Sequence, residues 1–459
     1  LPIHFHNFMN RVFIKTYGCQ MNERDSEAVA YKLQERGYEI VKKEEHADVV
    51  LLNTCSVRDQ AEQKAIGKAG HLSKRKKKKQ KFIFGIIGCM AQNRGNELFD
   101  LLPDLDLVVG TQKFHHVPEY LDKITGDQLP RPNYILDLEE EESSQEQICE
   151  HIDDSNVKVS AFVSIMQGCN MKCSFCIVPK TRGNERYRSI DSIVQETEKL
   201  VERGVREVTL LGQIVNAYGR GSIPRIGGKS PFVQLLERLN AIEGLYRIRF
   251  TSPHPTSFGE DLIESYKNLS KLCEYAHLPM QSGSDKILKL MNRPYSRNRF
   301  LEITKKLRSS HPDMRLSTDV ILGFPGESDD DYALTKSAFQ DAGFEMAFIF
   351  KYSERSGTPA VNLGDSVPKQ IKEDRNQDLL SLLKRQSYAS NILSLNRKFE
   401  VLVEGPAKRG EKMMIGRTRC NRRVVFEGTE EMTGKLMNIL INDVTATTLM
   451  GEFSKHELI

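Results

Sequence analysis

The chain has 459 residues, which is too long for one ordinary hydrophobic core, so two to four domains are expected. Its 39% hydrophobic and 28% charged residues describe a soluble globular protein, and no apolar run approaches the roughly 18–20 residues that span a bilayer. The formal net charge of +4 is too small to indicate a nucleic-acid partner, and nine cysteines at mostly wide spacings do not suggest a disulfide scaffold.

The first segment, "LPIHFHNFMNRVFIKTYG", lacks the basic, apolar and cleavage regions of a signal peptide. A cytoplasmic location is therefore expected. In a reducing compartment the cysteines are expected to be metal ligands or packing residues.

Residues 11–125 alternate apolar strands with amphipathic helices, which predicts a small open parallel α/β sheet. Helical patterns such as "EAVAYKLQERG" separate the strands. The predicted strands are "RVFIKTYG", "DVVLLNTC", "KFIFGIIGC" and "LDLVVG". We place the boundaries of this domain at residues 10 and 130.

Three cysteines stand at the ends of successive predicted strands: Cys19, Cys55 and Cys89. Parallel strands end side by side at one edge of a sheet, so thiols 34–36 residues apart can converge there. The alternative is three separate buried cysteines, a common fate of this residue. Their shared position favours a site with three thiolate ligands.

Two charged segments follow different patterns. "KRKKKKQK", residues 74–81, either meets RNA phosphates or forms a solvated surface. Residues 131–157 are predicted to form an acidic linker, since "DLEEEESSQEQICEHIDD" has nine acids and no Lys or Arg. Cys149 is interpreted as a linker thiol.

Residues 158–394 repeat strand and helix six times, with helical patterns such as "PFVQLLERLNAI" between the strands. Six such units predict a (β/α)6 partial TIM barrel whose chemistry lies at the carboxyl ends of its strands. The predicted strands are "AFVSIMQGC", "REVTLLGQ", "YRIRFTS", "CEYAHLPMQS", "RLSTDVILGF" and "FEMAFIFKYS".

The first of these strands leads into "QGCNMKCSFC", which places Cys169, Cys173 and Cys176 within eight residues. Three thiolates on a short loop can hold three irons of a 4Fe–4S cube and leave the fourth open to a small molecule. A zinc knuckle or a redox thiol pair is the alternative, although a structural zinc site usually needs four ligands.

The last segment, 395–459, contains short β runs such as "KFEVLVEG" and predicts a small antiparallel, OB-like barrel of a kind that often binds nucleic acid. Arginines alternate with other residues on one predicted strand pair and would present a basic face to RNA: Arg417, Arg419, Arg422 and Arg423. Cys273 and Cys420 have no partners at ligand spacing and are interpreted as packing residues.

The motif "CNMKCSFC" is similar to the signature of radical S-adenosylmethionine enzymes. In that superfamily the methionine part of S-adenosyl-L-methionine chelates the open iron. One electron from the cluster then breaks a C–S bond and gives a 5′-deoxyadenosyl radical. The resemblance implies a 4Fe–4S cluster on Cys169, Cys173 and Cys176.

Two three-cysteine sites followed by a small barrel resemble the methylthiotransferases over essentially the whole chain. In that family the terminal barrel is called TRAM and helps to hold RNA. The resemblance implies a second 4Fe–4S cluster, on Cys19, Cys55 and Cys89, that carries the sulfur inserted at a C–H bond. Two S-adenosyl-L-methionine molecules are implied, one as methyl donor and one as radical source.

Within the family, "TYGCQMNERDSE" and "LLGQIVNAYG" look like the MiaB branch, which methylthiolates C2 of N6-isopentenyladenosine at tRNA position 37. Ile214 is a departure, because that branch commonly has Asn there. The implied partners are a tRNA anticodon stem-loop, an external electron donor and a sulfur source, with no membrane.

Strand ends and the resemblance together suggest further site residues, each with a packing or solvated role as its alternative. Asn216 and the four arginines of the last barrel are assigned to RNA. Arg186 and Arg293 pair with a carboxylate or phosphate, or are simply solvated. The cosubstrate is assigned to Phe175, Gly212, Gln213, Gln281, Ser282 and Gly323.

Two other functions stay open. One is methylthiolation of a different substrate, either a ribosomal protein aspartate or threonylcarbamoyladenosine in tRNA; the basic "RTRCNRR" stretch favours RNA over protein. The other is an RNA-binding iron–sulfur sensor without catalysis. A sensor gains nothing from two clusters with open irons.

Overall fold

The computed structural model of the chain describes residues 10–56, 59–78, 82–126, 134–141, 144–146 and 159–453. Cys149 and residues 79–81 of the basic run lie outside this part of the chain. The described residues form two compact units. The first holds the described residues up to 146 with Met166–Met171 and Cys176–Arg188, and the second holds the rest. Among the helices of these ranges, none is long and apolar enough to cross a membrane.

The first unit is built on a parallel sheet. Its strands are β1 (Arg11–Tyr17), β2 (Glu39–Ile40), β3 (Val49–Thr54), β4 (Ile83–Gly88), β5 (Leu107–Val109) and β6 (Ile135–Asp137). Its helices are α1 (Gln20–Glu35), α2 (Asp59–Lys78), α3 (Cys89–Arg94), α4 (Glu97–Leu101) and α5 (Val117–Thr125). The strands stand in the order β2-β1-β3-β4-β5-β6.

The predicted open parallel sheet is confirmed. The four predicted strands correspond to β1, β3, β4 and β5, and two apolar clusters cover the sheet. Every residue of β3 and β4 is buried, as expected of strands with helices on both faces. β2 and β6 were not predicted, because strands of two and three residues are too short to show a hydrophobic period. β6 lies within the segment predicted as linker.

The chain next forms β7 (Ser160–Ser164) in the second unit, and then returns to the first unit with three short elements. These are β8 (Met166–Gln167), α6 (Val178–Arg182) and β9 (Arg186–Tyr187). β8 and β9 pair antiparallel, with Gln167 opposite Arg186. Within the first unit α6 packs against α3, the helix that begins at Cys89.

Parallel strands and helices alternate through most of the second unit. The strands after β7 are β10 (Glu207–Leu211), β11 (Arg247–Phe250), β12 (Tyr275–His277), β13 (Arg315–Leu322) and β14 (Met346–Lys351). The helices are α7 (Ile190–Glu202), α8 (Pro231–Asn240), α9 (Glu260–Asn268), α10 (Asp285–Leu290), α11 (Arg297–Ser310), α12 (Asp329–Ala342) and α13 (Lys369–Ile392).

These strands confirm the predicted (β/α)6 partial barrel. They run in the order β7-β10-β11 and β12-β13-β14, and a parallel bridge between Ile248 and Leu272 joins the two groups. Because these strands are parallel, all their carboxyl ends face one side of this unit, where the predicted cosubstrate residues lie.

The helices begin where local chemistry favours it. In α8, for example, Ser230 caps the helix by accepting a hydrogen bond from the Val233 N–H, and Pro231 occupies the first turn.

The chain ends in a small closed barrel, also in the second unit. Its strands are β15 (Lys398–Pro406), β16 (Met413–Thr418), β17 (Arg423–Glu427), β18 (Leu436–Val444) and β19 (Leu449–Glu452). They close in the order β15-β16-β17-β19-β18, antiparallel except for the parallel pair β17 and β19. Alternate residues such as Val401, Val403 and Phe426 fill its core.

Candidate active site

The structure places Cys19, Cys55 and Cys89 at one edge of the first sheet. The last residues of β1, β3 and β4 stand opposite one another in the strand register. Each cysteine follows one of those residues within two positions. None of the three cysteines forms a disulfide; Cys55 and Cys89 are buried, and Cys19 is partly exposed. The strand ends thus bring together the side chains that the sequence analysis grouped.

Two amides tie the first two cysteine-bearing loops together. Asn22 Nδ2 donates to Asn53 Oδ1 at 3.1 Å, and Asn53 Nδ2 donates back to the Asn22 carbonyl oxygen at 2.9 Å. Asn22 Oδ1 also accepts a hydrogen bond from the Cys19 thiol at 3.3 Å. Because both amide side chains are fully buried, water does not compete for these hydrogen bonds. The bonds therefore fix the distance between the chain segments around Cys19 and Cys55.

The electrostatic environment favours the thiolate of Cys19 and disfavours that of Cys89. A hydrogen bond from Cys55 and the charge of Arg182 lower the pKa of Cys19 to about 6, against the opposing effect of burial. Cys19 also caps the amino end of α1, a position that stabilises a thiolate. Burial raises the pKa of Cys89, although Arg182 acts in the opposite direction. A cation thus stands beside two of the three thiols.

That cation, Arg182, is buried on α6 and forms an ion pair with buried Asp25 on α1, with Nη2 and Oδ2 2.6 Å apart. Burial lowers the pKa of Arg182, but the anions Asp25, Cys89 and Cys19 raise it above its ordinary value, so the guanidinium stays charged. Arg182 Nη1 has no hydrogen-bond partner within the described ranges. A buried, charged guanidinium beside Cys19 and Cys89 fits an anionic iron–sulfur cluster. No local pattern in the sequence predicts this pair.

The residues of the second three-cysteine motif divide between the units. Cys169 and Cys176 belong to the first unit and Cys173 to the second. None of the three cysteines forms a disulfide, so each can serve as a thiolate ligand. In the second unit Arg293 Nη1 donates to Cys173 Sγ at 3.3 Å, and its guanidinium lies 5.3 Å from the Tyr295 ring centre. Arg293, predicted to pair with a carboxylate or phosphate, thus contacts a predicted cluster ligand.

Arg186, which was also predicted to pair with a carboxylate or phosphate, lies on β9 of the first unit. Its guanidinium lies close to Gly183. A methyl group added at Gly183 would lie 3.2 Å from Arg186 Nη1. The glycine therefore leaves room for the guanidinium.

The predicted cosubstrate residues of the second unit lie at or just beyond the carboxyl ends of the barrel strands. Gly212 and Gln213 follow β10, and Gln213 Oε1 is buried without a hydrogen-bond partner in the described chain. Gln281 has φ +66°, and its N–H donates to the Asp319 carbonyl oxygen. Ser282 is engaged by the Thr335 hydroxyl at 3.1 Å.

Gly323 directly follows β13 and has φ +67°. A methyl group at this position would lie 2.4 Å from Lys372 Cγ, so the backbone conformation and the packing both require glycine. Phe175 lies in an apolar cluster and meets Phe324 edge to face, with ring centres 6.5 Å apart. Its packing role is therefore evident, and its role toward a cosubstrate stays a prediction.

His254, which the sequence analysis missed, follows β11 among these strand ends. Burial, with the nearby charges of Arg293 and Arg220, lowers its pKa to about 3, so the ring is neutral at physiological pH. Nδ1 accepts from the Thr256 N–H at 3.3 Å, and Nε2 is buried without a partner in the described residues. A single histidine in a "TSPHPTS" loop gives no local signal for such a position.

The residues predicted to bind RNA differ in their surroundings. Asn216 is buried and exchanges two hydrogen bonds with the His254 backbone. Arg419 forms an ion pair with buried Glu274, with Nη2 and Oε1 2.7 Å apart. Arg422 is buried and donates to Asn391 Oδ1. These three side chains already have structural partners within the second unit.

Two of the predicted RNA contacts remain at the surface of the last barrel. Arg417 is partly exposed and forms an ion pair with Glu404 at 2.7 Å. Arg423 is exposed at the start of β17. The two cysteines predicted to pack, Cys273 and Cys420, are both buried.

In residues 74–78, the part of the basic run that the structure describes, Arg75 and Lys76 have partners within the first unit. Arg75 donates to the backbone carbonyl oxygens of Glu44 and Ala47, each at 2.9 Å. Lys76 pairs with Asp106. The run therefore also anchors the end of α2 to its own unit.

The chain matches three family descriptions. Residues 11–110 match the uncharacterized protein family UPF0004, residues 163–337 the radical SAM superfamily and residues 394–453 the TRAM domain. The matches cover the first sheet except β6, most of the partial barrel and the closed barrel.

Two relatives share most of their length with this chain. A protein of Opitutus terrae named tRNA-2-methylthio-N(6)-dimethylallyladenosine synthase is 55% identical, and the match covers 97% of each chain. A protein of the same name from Akkermansia muciniphila is 47% identical, over 96% of this chain and 98% of the relative.

Solved structures show the fold. The radical S-adenosylmethionine methyltransferase TsrM from Kitasatospora setae has a TM-score of 0.56 at 12% identity, covering 74% of this chain and 73% of its own. The cobalamin-dependent S-adenosylmethionine radical enzyme OxsB has a TM-score of 0.54 at 11% identity, covering 80% and 57%. At such identities the likeness concerns architecture alone.

Proposed function

Because the chain belongs to the family of tRNA-2-methylthio-N(6)-dimethylallyladenosine synthases, we propose that it methylthiolates C2 of N6-dimethylallyladenosine at position 37 of tRNA. The family match extends over nearly the whole chain and includes a radical SAM domain and a TRAM domain. The reaction replaces the C2–H of the adenine with C2–S–CH3.

The observation that carries this proposal is the meeting of Cys19, Cys55 and Cys89 at one sheet edge, in the same chain as a Cys-x3-Cys-x2-Cys motif. An enzyme that only makes radicals needs one cluster; sulfur insertion gives a second three-thiolate site a purpose. We assign Cys169, Cys173 and Cys176 to the radical cluster, and the sheet-edge thiols to the auxiliary cluster.

When bound, the radical cluster and S-adenosyl-L-methionine supply hydrogen abstraction, while the auxiliary cluster supplies sulfur. The surrounding residues bind and orient. Arg182 offers a charged N–H donor at the auxiliary site, and Arg293 donates to Cys173. Gln213, Gln281 and Gly323 at the strand ends support a cosubstrate there, with Gly212 and Ser282 beside them.

Further parts of the proposal concern partners. We assign the substrate contact to a tRNA anticodon stem-loop, whose unstacked base is accessible to an enzyme pocket. An external electron donor and a sulfur source are required by the chemistry. A cytoplasmic location is proposed because tRNA is the substrate. The boundaries 10–130, 131–157, 158–394 and 395–459 stay our proposed domain limits.

Anaerobic iron and sulfide analysis with EPR tests the assignment. Two 4Fe–4S clusters require about eight irons per chain, and the triple variant Cys169→Ala/Cys173→Ala/Cys176→Ala should retain about four. That variant should not cleave S-adenosyl-L-methionine reductively. The triple variant Cys19→Ala/Cys55→Ala/Cys89→Ala should still cleave it but should form no methylthiolated RNA.

Cys273→Ala is the matched control, since this buried thiol lies outside both triads and should leave iron content and product unchanged. Retention of methylthiolation after loss of either triad would contradict the proposal. If the wild type holds only about four irons and loses all of them with the radical triad, the protein has one cluster. It would then be a radical enzyme that does not insert sulfur.

A further inference from the structure

Two phenylalanines on β14, the sixth strand of the partial barrel, are exposed, although this strand belongs to the central sheet of the second unit. Phe348 is 42% exposed and Phe350 is 39% exposed. Their rings lie nearly parallel, with an interplanar angle of 13° and centres 6.5 Å apart. Large apolar side chains at the surface of a monomer commonly mark a binding site when they are adjacent.

The strand register places this pair on the inner face of the barrel sheet. Asp319 stands opposite Phe348 and Ile321 opposite Phe350. The alternate residues of β13, such as Val320 and Leu322, are fully buried, as expected of the sheet face that helices cover. Since side chains alternate between the faces, Phe348 and Phe350 share the other, concave face with Asp319.

A polar group borders the aromatic pair on that face. The His277 ring meets Phe348 edge to face, with centres 6.1 Å apart. His277 Nδ1 lies 2.8 Å from the Ser317 hydroxyl, and Nε2 lies 3.3 Å from Asp319 Oδ2. The face therefore offers flat apolar surface beside hydrogen-bonding groups, the combination that a nucleobase needs.

The pair also lies close to the predicted cosubstrate edge. Gln281 bridges to Val320 of β13, and β14 is the next strand beyond β13. Two strand spacings separate Gln281 from the aromatic strand, or about 10 Å. A reactant must come within about 3–3.5 Å of the group that attacks it, so the substrate base must lie near the cosubstrate edge, and this part of the sheet meets that condition.

We propose that Phe348 and Phe350 form the pocket for the prenylated adenine, with the pair packing against the base and its dimethylallyl group, and His277 and Asp319 facing the polar edge. This inference rests on the proposed function, which supplies the occupant. The chemistry of the occupant matches the face: a planar base with a branched apolar substituent meets stacked aromatic rings beside hydrogen-bonding side chains.

The test compares two RNA anticodon stem-loops that differ only in the dimethylallyl group on the target adenine. Binding is measured anaerobically by fluorescence anisotropy with the full chain carrying both reconstituted clusters. The wild type should prefer the prenylated RNA. Phe348→Ala and Phe350→Ala should each weaken its binding about tenfold, as expected for the loss of one aromatic contact to a base, and should reduce the preference.

Tyr388→Ala is the matched control, because this tyrosine on α13 is 47% exposed and lies outside the barrel sheet. It should leave both affinities unchanged. Phe348→Leu keeps an apolar side chain and removes the ring, so it serves if an alanine variant does not assemble its clusters. It should retain part of the preference for the prenyl group.

The pocket assignment is overturned if the folded phenylalanine variants bind and discriminate the two RNAs as the wild type does. It is also overturned if the Tyr388 control loses as much affinity as they do, because the contact would then lie elsewhere. Failure of the proposed function has a different signature: wild-type protein with both clusters would leave the prenylated RNA unmodified.

Discussion

Arg182 and Asp25 form a buried ion pair across 157 residues of sequence, with Nη2 donating to Oδ2 at 2.6 Å. The pair joins the helix that follows the radical motif to the helix that Cys19 caps. It therefore holds the segment after Cys176 against the helix that begins next to Cys19, within the first unit.

Replacing Arg182 with Gln should destabilise the protein strongly, because it leaves the Asp25 carboxylate buried without its cation. Breaking one side of a buried pair costs about 3–5 kcal/mol. Urea unfolding of the cluster-free protein measures the loss. The double variant Arg182→Gln/Asp25→Asn should recover part of it, since neither residue is then charged.

Lys180→Gln is the control for that substitution, because it removes a positive charge from an exposed position on the same helix. Its unfolding free energy should stay within about 0.5 kcal/mol of the wild type. If the Arg182 and Lys180 variants lose the same unfolding free energy, the buried ion pair stabilises the protein no more than an exposed charge does.

Cys19 should be a more acidic thiol than Cys89 in the cluster-free protein. With a pKa of about 6, it should react with iodoacetamide half-maximally near that pH, whereas the raised pKa of buried Cys89 should keep Cys89 unlabelled. Peptide mass spectrometry after pulsed alkylation at a series of pH values measures both. Arg182→Gln should move the Cys19 midpoint upward, and a wild-type midpoint at an ordinary value of about 8.5 would contradict the prediction.

The same shift has a consequence for stability, with a definite sign. The folded-state pKa of Cys19 lies below its unfolded value, so the unfolded state binds the proton first as the pH falls. The stabilising contribution is fully present above about pH 8.5 and is lost as the pH falls through about 6. Cys19→Ser should flatten the change in unfolding free energy over this window.

Gly323→Ala should cost more stability than Gly364→Ala, although both glycines have nearly the same φ, +67° and +68°. A methyl group at Gly364 meets nothing within 4 Å, so that variant shows the backbone cost alone; with φ +68° and ψ 143° the residue lies in a sparsely populated region, where that cost is about 1–3 kcal/mol. At Gly323 the methyl group also displaces the Lys372 stem, whose ammonium group is paired with Asp365. Equal unfolding free energies would show that the Lys372 side chain moves aside without cost.

Arg419 and Arg423 should separate structural from RNA-binding roles in the last barrel. Arg419→Gln breaks the ion pair to buried Glu274 and should lower the unfolding free energy by about 1–3 kcal/mol. Arg423→Gln lies at the surface and should change stability by less than about 0.5 kcal/mol. If Arg423 meets a phosphate, its loss should also weaken tRNA binding and reduce the salt slope by about one. Unchanged binding would remove Arg423 from the RNA surface.

Much of the fold was readable from the sequence because its signals are local. The strands β1, β3, β4 and β5 are apolar runs, and the (β/α)6 repeat has clear alternation. The grouping of Cys19, Cys55 and Cys89 was readable for the same reason: each ends a strand, and parallel strands end together. β2 and β6 could not be predicted, because a strand of two or three residues is too short to show an alternation of apolar and polar residues.

Side-chain partners far apart in the sequence were decided only by tertiary packing. No pattern in the sequence joins Asp25 to Arg182, or distinguishes Arg419, paired with Glu274, from exposed Arg423. Alternation predicts two faces for β14, but only the assembled sheet exposes the face that carries Phe348 and Phe350. Local periodicity determines which elements form; burial and charge pairing across the assembled unit determine what each side chain can contact.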